Sequence, residues 1–160
     1  MEEKVKFAQY QKVRDNVLAH ADELQAPKEP KLVHPVELAY IGDAVFSLYV
    51  RMRLLAGSSH VQVLHDLASR MVSAVMQAKA MEGLEKDLTE EEQAIVRRGR
   101  NTKSMVPKSA SVWEYRMGTA FEALLGYLYL EKREERLQEI MDRSFLMIQA
   151  AMLAERGMKK

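Results

Sequence analysis

Two long apolar segments, each interrupted by a single carboxylate, constrain the fold of this chain most. Asp43 is the only charged residue of segment 38–50, and Glu122 is the only charged residue of segment 117–130. A helix that is apolar on every side is normally buried, and a buried carboxylate is costly unless something pairs with it. The pattern predicts two core helices whose carboxylates share a partner, and a divalent cation is one candidate.

Glycines in the same segments indicate that the two helices pack closely. Gly118, Glu122 and Gly126 recur every four residues and share one helical stripe, while Gly42 directly precedes Asp43. A glycine inside a helix costs up to about 1 kcal/mol relative to alanine, so several of them favour a close approach of another helix. Such packing brings both carboxylates to one place. Pairing of each carboxylate with an arginine, or capping of a neighbouring helix, fits the pattern equally well.

Composition narrows the class of protein. A chain of 160 residues with 48% hydrophobic and 29% charged residues is expected to form one soluble globular domain. The absence of cysteine excludes disulfides, thiolate zinc sites and cysteine nucleophiles, and it fits a cytoplasmic location. No signal peptide or membrane span is expected. The net charge of +1 means that an anionic partner must be met by a local basic patch.

Helical periodicity runs through the chain, and the β-branched residues fall on helical stripes, so an all-α fold is expected. The four prolines and seven glycines separate about six helices. These helices are predicted over residues 1–25, 35–56, 58–81, 89–98, 112–132 and 134–156. Thr89 and Glu92 have the spacing of a capping box. The domain prediction is an N-terminal helix and linker over 1–34, followed by a main domain over 35–156.

Two short motifs surround the acids, namely Ile41-Gly42-Asp43-Ala44-Val45 and segment 119–126. The first resembles the signature of ribonuclease III, a family of double-stranded-RNA endonucleases. The second resembles the second catalytic segment of that family. Three further stretches support the resemblance: Val72-Ser73-Ala74 with Gln77-Ala78, Arg97-Arg98-Gly99-Arg100-Asn101 with Lys103-Ser104, and Glu114-Tyr115-Arg116. The chain is most similar to Mini-ribonuclease III, a subfamily without the appended double-stranded-RNA-binding domain.

The resemblance implies a homodimer whose helices form a cleft for duplex RNA and whose nuclease domain occupies 35–156. It assigns Asp43 and Glu122 as the catalytic, magnesium-binding acids. It also implies 5′-phosphate and 3′-hydroxyl products, a precursor of large-subunit ribosomal RNA as substrate, and ribosome association. Larger members carry two more acids, at the positions of Ala39 and Thr119 here. One magnesium ion per subunit, completed by water, is therefore expected.

A basic segment, 97–108, is the local patch that the neutral total charge requires. It contains no acidic residue, and its candidate RNA-binding residues are Arg97, Arg98, Arg100, Asn101, Lys103 and Lys108. Arg97 and Arg98 are also explained as favourable charges in a last helical turn. The remaining four lie beyond that turn, where contact with RNA phosphates is the sharper interpretation.

A non-catalytic protein of this fold, which binds structured RNA or ribosomes without cutting them, is the alternative. The missing acids at Ala39 and Thr119 motivate it. Retention of both Asp43 and Glu122 argues against it, since a pure binder has no evident need for two desolvated acids. A plain helical interaction module would make the order of the motifs a coincidence.

Overall fold

Helices account for nearly all of the regular structure. A computed structural model describes residues 2–102, 106, 108 and 110–158, and these ranges contain no β-strand, which confirms the all-α prediction. The helices are α1 (Glu2–Ala19), α2 (Pro35–Leu54), α3 (Val61–Met71), α4 (Ala74–Leu84), α5 (Glu90–Arg100), α6 (Val112–Leu130) and α7 (Glu134–Met158). Short 3-10 turns follow α2 and α4, at Leu55–Gly57 and Glu85–Asp87. Within the described residues, no helix has the length and apolar character needed to cross a membrane.

α6 is the central helix and contacts α2, α4, α5 and α7. Its buried residues include Phe121, Leu124 and Tyr127. Phe121 meets Phe46 of α2 edge to face, with the ring centroids 4.9 Å apart. Burial of one such side chain contributes roughly 1.5–3 kcal/mol, so these contacts hold the two carboxylate-bearing helices, α2 and α6, in a fixed relation.

The predicted helix over 58–81 is wrong as a single element. α3 ends at Met71, Val72 leaves the helical conformation, and α4 begins after Ser73. The Ser73 side chain accepts a hydrogen bond from the Met76 backbone N–H, as an N-cap does. Serine competes in this way with a continuous helix. The fold therefore has seven α-helices in the described residues, where about six were predicted.

α2 is less buried than its apolar sequence predicts. Its Leu38, Phe46 and Val50 are fully buried against the core, as expected. On the opposite side, Leu48 and Met52 are 62% and 66% exposed. The other helices of the chain cover only one side of α2, which leaves an apolar surface in the single chain.

The N-terminal helix is also more exposed than the rest of the fold. It ends at Ala19, earlier than the predicted residue 25. Its large apolar side chains are all more than half exposed, namely Val5, Phe7, Tyr10, Val13, Val17 and Leu18. The helix therefore adds little to the core formed by α2 and α4–α7.

A buried ion pair ties α5 to α7. Glu92 is 0% exposed and accepts hydrogen bonds from the Arg136 guanidinium, at 2.8 Å from Nη2 and 2.9 Å from Nε. Glu92 also completes the predicted capping box with Thr89, which confirms that the helix begins there. Burial alone would raise the pKa of Glu92, but the hydrogen bonds from Arg136 and Thr89 hold it below its usual value.

Candidate active site

Close packing of α2 on α6 depends on two glycines. A Cβ atom added to Gly42 would lie 1.7 Å from the backbone carbonyl oxygen of Glu122. A Cβ atom added to Gly126 would lie 1.9 Å from the carbonyl oxygen of Leu38. No side chain fits in either place, so the helices meet backbone to backbone. The packing prediction is confirmed for these two glycines, whereas Gly118 faces α4 instead.

This packing brings Asp43 and Glu122 to one cavity. The cavity has a volume of about 290 Å³, and both carboxylates line it with Gln77 of α4. The two acids are close enough for the charge of Asp43 to act on Glu122. The predicted meeting of the two acids is thus present. The predicted burial is wrong for Asp43, whose side chain is exposed at the cavity, while Glu122 is partly buried.

The environment of Glu122 opposes its negative charge. Burial raises the pKa of Glu122 to about 7, the hydrogen bond from Gln77 acts to lower it, and the nearby Asp43 acts to raise it. The Gln77 Nε2 atom lies 2.9 Å from Glu122 Oε1. A neutral amide gives the carboxylate a donor without giving it a counter-charge.

No basic side chain of the described residues lines this cavity or forms an ion pair with either carboxylate. The alternative, in which each acid pairs with an arginine, is therefore wrong for the described residues. Ala39 and Thr119, the positions of the two missing acids, also line the cavity. Among the described residues, no group of three or more histidines and carboxylates could hold a metal. The cation-binding capacity of the cavity rests on two carboxylates.

The predicted RNA-binding residues are divided among different contacts. Arg98 donates to the carbonyl oxygens of Lys31 and Val33, at 2.6 and 3.0 Å, and so holds the linker against α5. Arg100 forms an ion pair with Glu85 at 3.5 Å. The side chains of Arg97, Asn101 and Lys108 are exposed. Lys103 lies outside the described residues.

Gly99 does not end α5 as the sequence pattern predicts. The helix continues to Arg100, and Asn101 follows as its C-cap. Gly99 is buried where α5 crosses α6, and a Cβ atom added there would lie 2.8 Å from the Cα atom of Ala120. This glycine therefore serves the packing of two helices, which a reading of local helix signals does not reveal.

The ribonuclease III domain family matches residues 36–133, which include both acids. The chain belongs to the ribonuclease III family. It is 45% identical over 124 residues to Mini-ribonuclease 3 of Brevibacillus brevis, a match covering 76% of this chain and 92% of the relative. It is 49% identical over 114 residues to Mini-ribonuclease 3 of Symbiobacterium thermophilum, covering 70% and 88%.

A solved structure shares the fold of this chain. A crystal structure of a protein from Fusobacterium nucleatum has a TM-score of 0.68 and 32% sequence identity, and the match covers 72% of this chain and 96% of that one. The resemblance to Mini-ribonuclease III is confirmed by these comparisons. As a member of the ribonuclease III family, the chain is an endoribonuclease, a hydrolase of RNA phosphodiesters.

Proposed function

We propose that this endoribonuclease cuts double-stranded RNA with a magnesium ion held by Asp43 and Glu122. The observation that carries the proposal is the pair of interacting carboxylates in one cavity, without a basic partner among the described residues. Carboxylate oxygens are the protein ligands that magnesium prefers, and the ion usually keeps several waters. Two acids and one open cavity fit that mode of binding.

The chain's own residues prepare the cavity for hydrolysis. Glu122 enters from the central helix and Asp43 from α2, so the two ligands are held by the most tightly packed pair of helices. When bound, magnesium supplies Lewis-acid stabilisation of the scissile phosphate and an activated water. The family resemblance predicts 5′-phosphate and 3′-hydroxyl ends. The absence of acids at Ala39 and Thr119 favours one ion per subunit.

Basic segment 97–108 provides the proposed contacts to RNA phosphates. Duplex RNA is recognised mainly by its shape, its 2′-hydroxyls and its phosphates. Cationic and polar side chains suit such contacts, and we assign them to Arg97, Arg100, Asn101, Lys103 and Lys108. Of these, Arg97, Asn101 and Lys108 are exposed. Arg98 belongs to the segment, but two of its nitrogens already donate to linker carbonyls.

A homodimer is part of the proposal, and an apolar groove supports it. The groove has a volume of about 560 Å³ and adjoins the site, since Asp43 and Ala44 are neighbours in α2. Its lining residues are Ile41, Ala44, Val45, Leu48, Tyr49, Met52, Tyr129, Leu137 and Met141. A continuous apolar surface of this kind is typical of a protein–protein contact. We propose a second copy as its occupant, with each subunit cutting one RNA strand.

The biological setting is proposed from the family. We propose a stem in a precursor of large-subunit ribosomal RNA as the substrate, with ribosome or ribosomal-protein association in the cytoplasm. The proposed domain division places the N-terminal helix and linker at 1–34 and the nuclease domain at 35–156. The family match covers residues 36–133, which lie within the proposed nuclease domain.

Digestion of a synthetic RNA duplex with magnesium tests the activity. We expect the unaltered protein to cut the duplex and to leave 5′-phosphate ends. Asp43→Asn should abolish cleavage, whereas Asp15→Asn, the same change at an exposed site on α1, should leave it unaltered. Failure of the unaltered protein to cut, or full cleavage by Asp43→Asn, would overturn the proposal. Duplex binding without cleavage would instead favour a non-catalytic RNA-binding protein.

A further inference from the structure

Gln77 makes the contact with Glu122 that the sequence patterns do not explain. Its side chain is 2% exposed, and its only described side-chain hydrogen bond runs 2.9 Å from Nε2 to Glu122 Oε1. An ionised carboxylate can only accept hydrogen bonds, so the amide must present its nitrogen to it. The amide therefore has a defined orientation at the wall of the cavity.

Two local features place Gln77 at this position. The break between α3 and α4 lets Ser73 begin a new helix, and Gln77 lies one turn into it, with its backbone N–H 2.9 Å from the Ser73 carbonyl oxygen. Gly118 of α6 then makes room for the side chain. A Cβ atom added to Gly118 would lie 3.0 Å from Gln77 Oε1 and 3.4 Å from the Cα atom of Ala74.

An amide is neutral whereas an arginine is positively charged, and this difference affects cation binding by Glu122. An arginine at this place would neutralise Glu122 and compete with a metal cation for it. An amide fixes one carboxylate oxygen by a hydrogen bond and leaves the negative charge of the group in place. Polar groups that orient metal ligands in this way commonly contribute tenfold to hundredfold in metal affinity or activity.

We infer that Gln77 is a positioning residue, which orients the Glu122 carboxylate toward Asp43 for binding a divalent cation. The inference rests on the proposed function, because it takes Asp43 and Glu122 as the cation ligands. Gln77 acts through Glu122 and has no contact with RNA in this account. Gly118 supports Gln77 by leaving room for its amide.

Manganese binding to the protein without RNA, followed by electron paramagnetic resonance, tests the inference apart from catalysis. We expect Gln77→Met, which keeps the length of the side chain and removes its donor, to weaken manganese affinity by about tenfold or more. The matched control is Gln93→Met, since the Gln93 amide donates to the Leu88 carbonyl oxygen away from the site. That control should bind manganese as the unaltered protein does.

Cleavage at varied magnesium gives a second readout. We expect Gln77→Met to need more magnesium for half-maximal cleavage and to recover rate at saturating magnesium, with an unchanged KM for duplex RNA. Equal manganese affinity in Gln77→Met and the unaltered protein would overturn the inference while leaving the proposed function intact. No manganese binding and no cleavage by the unaltered protein would overturn the proposed function itself.

Gly118→Ala tests the Gln77–Glu122 contact by a change in α6. The added methyl group should displace the Gln77 amide and weaken manganese binding severalfold. If it acts through Gln77, combining it with Gln77→Met should give no further loss, because coupled positions are not additive. Additive losses would contradict the inference. If Gln77→Met does not fold, Gly118→Ala alone decides, and unchanged affinity in that variant overturns the inference.

Discussion

Glu92 and Glu122 are two desolvated glutamates whose partners differ in charge. Glu92 is fully buried and receives a counter-charge from Arg136, with a bidentate set of hydrogen bonds. Glu122 is partly buried and receives a neutral amide from Gln77 and a like charge from Asp43. The pKa of Glu92 is held low, whereas burial raises the pKa of Glu122 to about 7.

The comparison separates a carboxylate that serves the fold from one that serves the reaction. The chain supplies a cation for Glu92, and this pair joins α5 to α7. The described chain supplies none for Glu122, so a cation from solution gains the full attraction of both acids. Removal of Glu92 should therefore affect stability, and removal of Glu122 should affect catalysis.

The largest expected effect is the loss of activity in Glu122→Gln. We expect the cleavage rate to fall by at least about a thousandfold, which corresponds to about 4 kcal/mol in the barrier. The fold should remain intact, because glutamine keeps the shape of the side chain and still meets Gln77. Single-turnover cleavage of an RNA duplex measures the rate. Glu135→Gln, at an exposed position in the first turn of α7, is the matched control and should cut normally.

Glu92→Gln should show the reverse behaviour. Breaking a buried ion pair by removing one partner destabilises a protein by about 3–5 kcal/mol. Glu92→Gln removes the buried counter-charge of Arg136 and leaves only the exposed Glu139. Urea unfolding should show a loss in this range, while the rate per folded molecule stays near that of the unaltered protein. Glu139→Gln removes only the exposed partner of Arg136 and should cost less than about 1 kcal/mol. Equal losses of unfolding free energy in Glu92→Gln and Glu139→Gln would contradict a special role of the buried pair.

The two glutamates should also give opposite pH dependence of stability in metal-free protein. The folded pKa of Glu122, about 7, exceeds its ordinary value of 4.5. Its contribution to stability is thus present below the ordinary value and is lost as pH rises through 7. Above that pH, Glu122→Gln should be more stable than the unaltered protein by about 3 kcal/mol, and the difference should vanish near the ordinary pKa.

Glu92 has a lowered pKa, so its contribution is present above the ordinary glutamate value and is lost as pH falls below it. Urea unfolding at several pH values, with a chelator present, checks both trends. A Glu122→Gln variant that follows the unaltered protein at every pH would contradict the account of Glu122. Retention of the acid-induced loss in Glu92→Gln would contradict the account of Glu92.

Sequence patterns predicted the part of the site that depends on neighbouring residues along a helix. Gly42 and Gly126 indicate the contact of α2 with α6, because the two backbones can come this close only where Cβ atoms are absent. The capping box at Thr89 likewise needs only residues three positions apart. These local signals were sufficient to bring Asp43 and Glu122 together.

Features that depend on distant elements were not predictable in this way. Apolar residues continue at helical spacing from Met71 to Val75, so the pattern does not reveal that α3 ends at Met71. Glu92 lies in a run of three glutamates at a helix start, and its burial depends on Arg136 from α7. Arg98 was explained by the helix dipole, whereas its contacts are carbonyls of the linker.

A manganese soak of crystals of the unaltered protein tests the central claim most directly. Anomalous diffraction locates the ion without relying on activity or on RNA. The account predicts a peak within bonding distance of carboxylate oxygens of both Asp43 and Glu122, and no such peak in Glu122→Gln crystals. A cavity in which a basic side chain lies between the two acids, with no peak at saturating manganese, would contradict it.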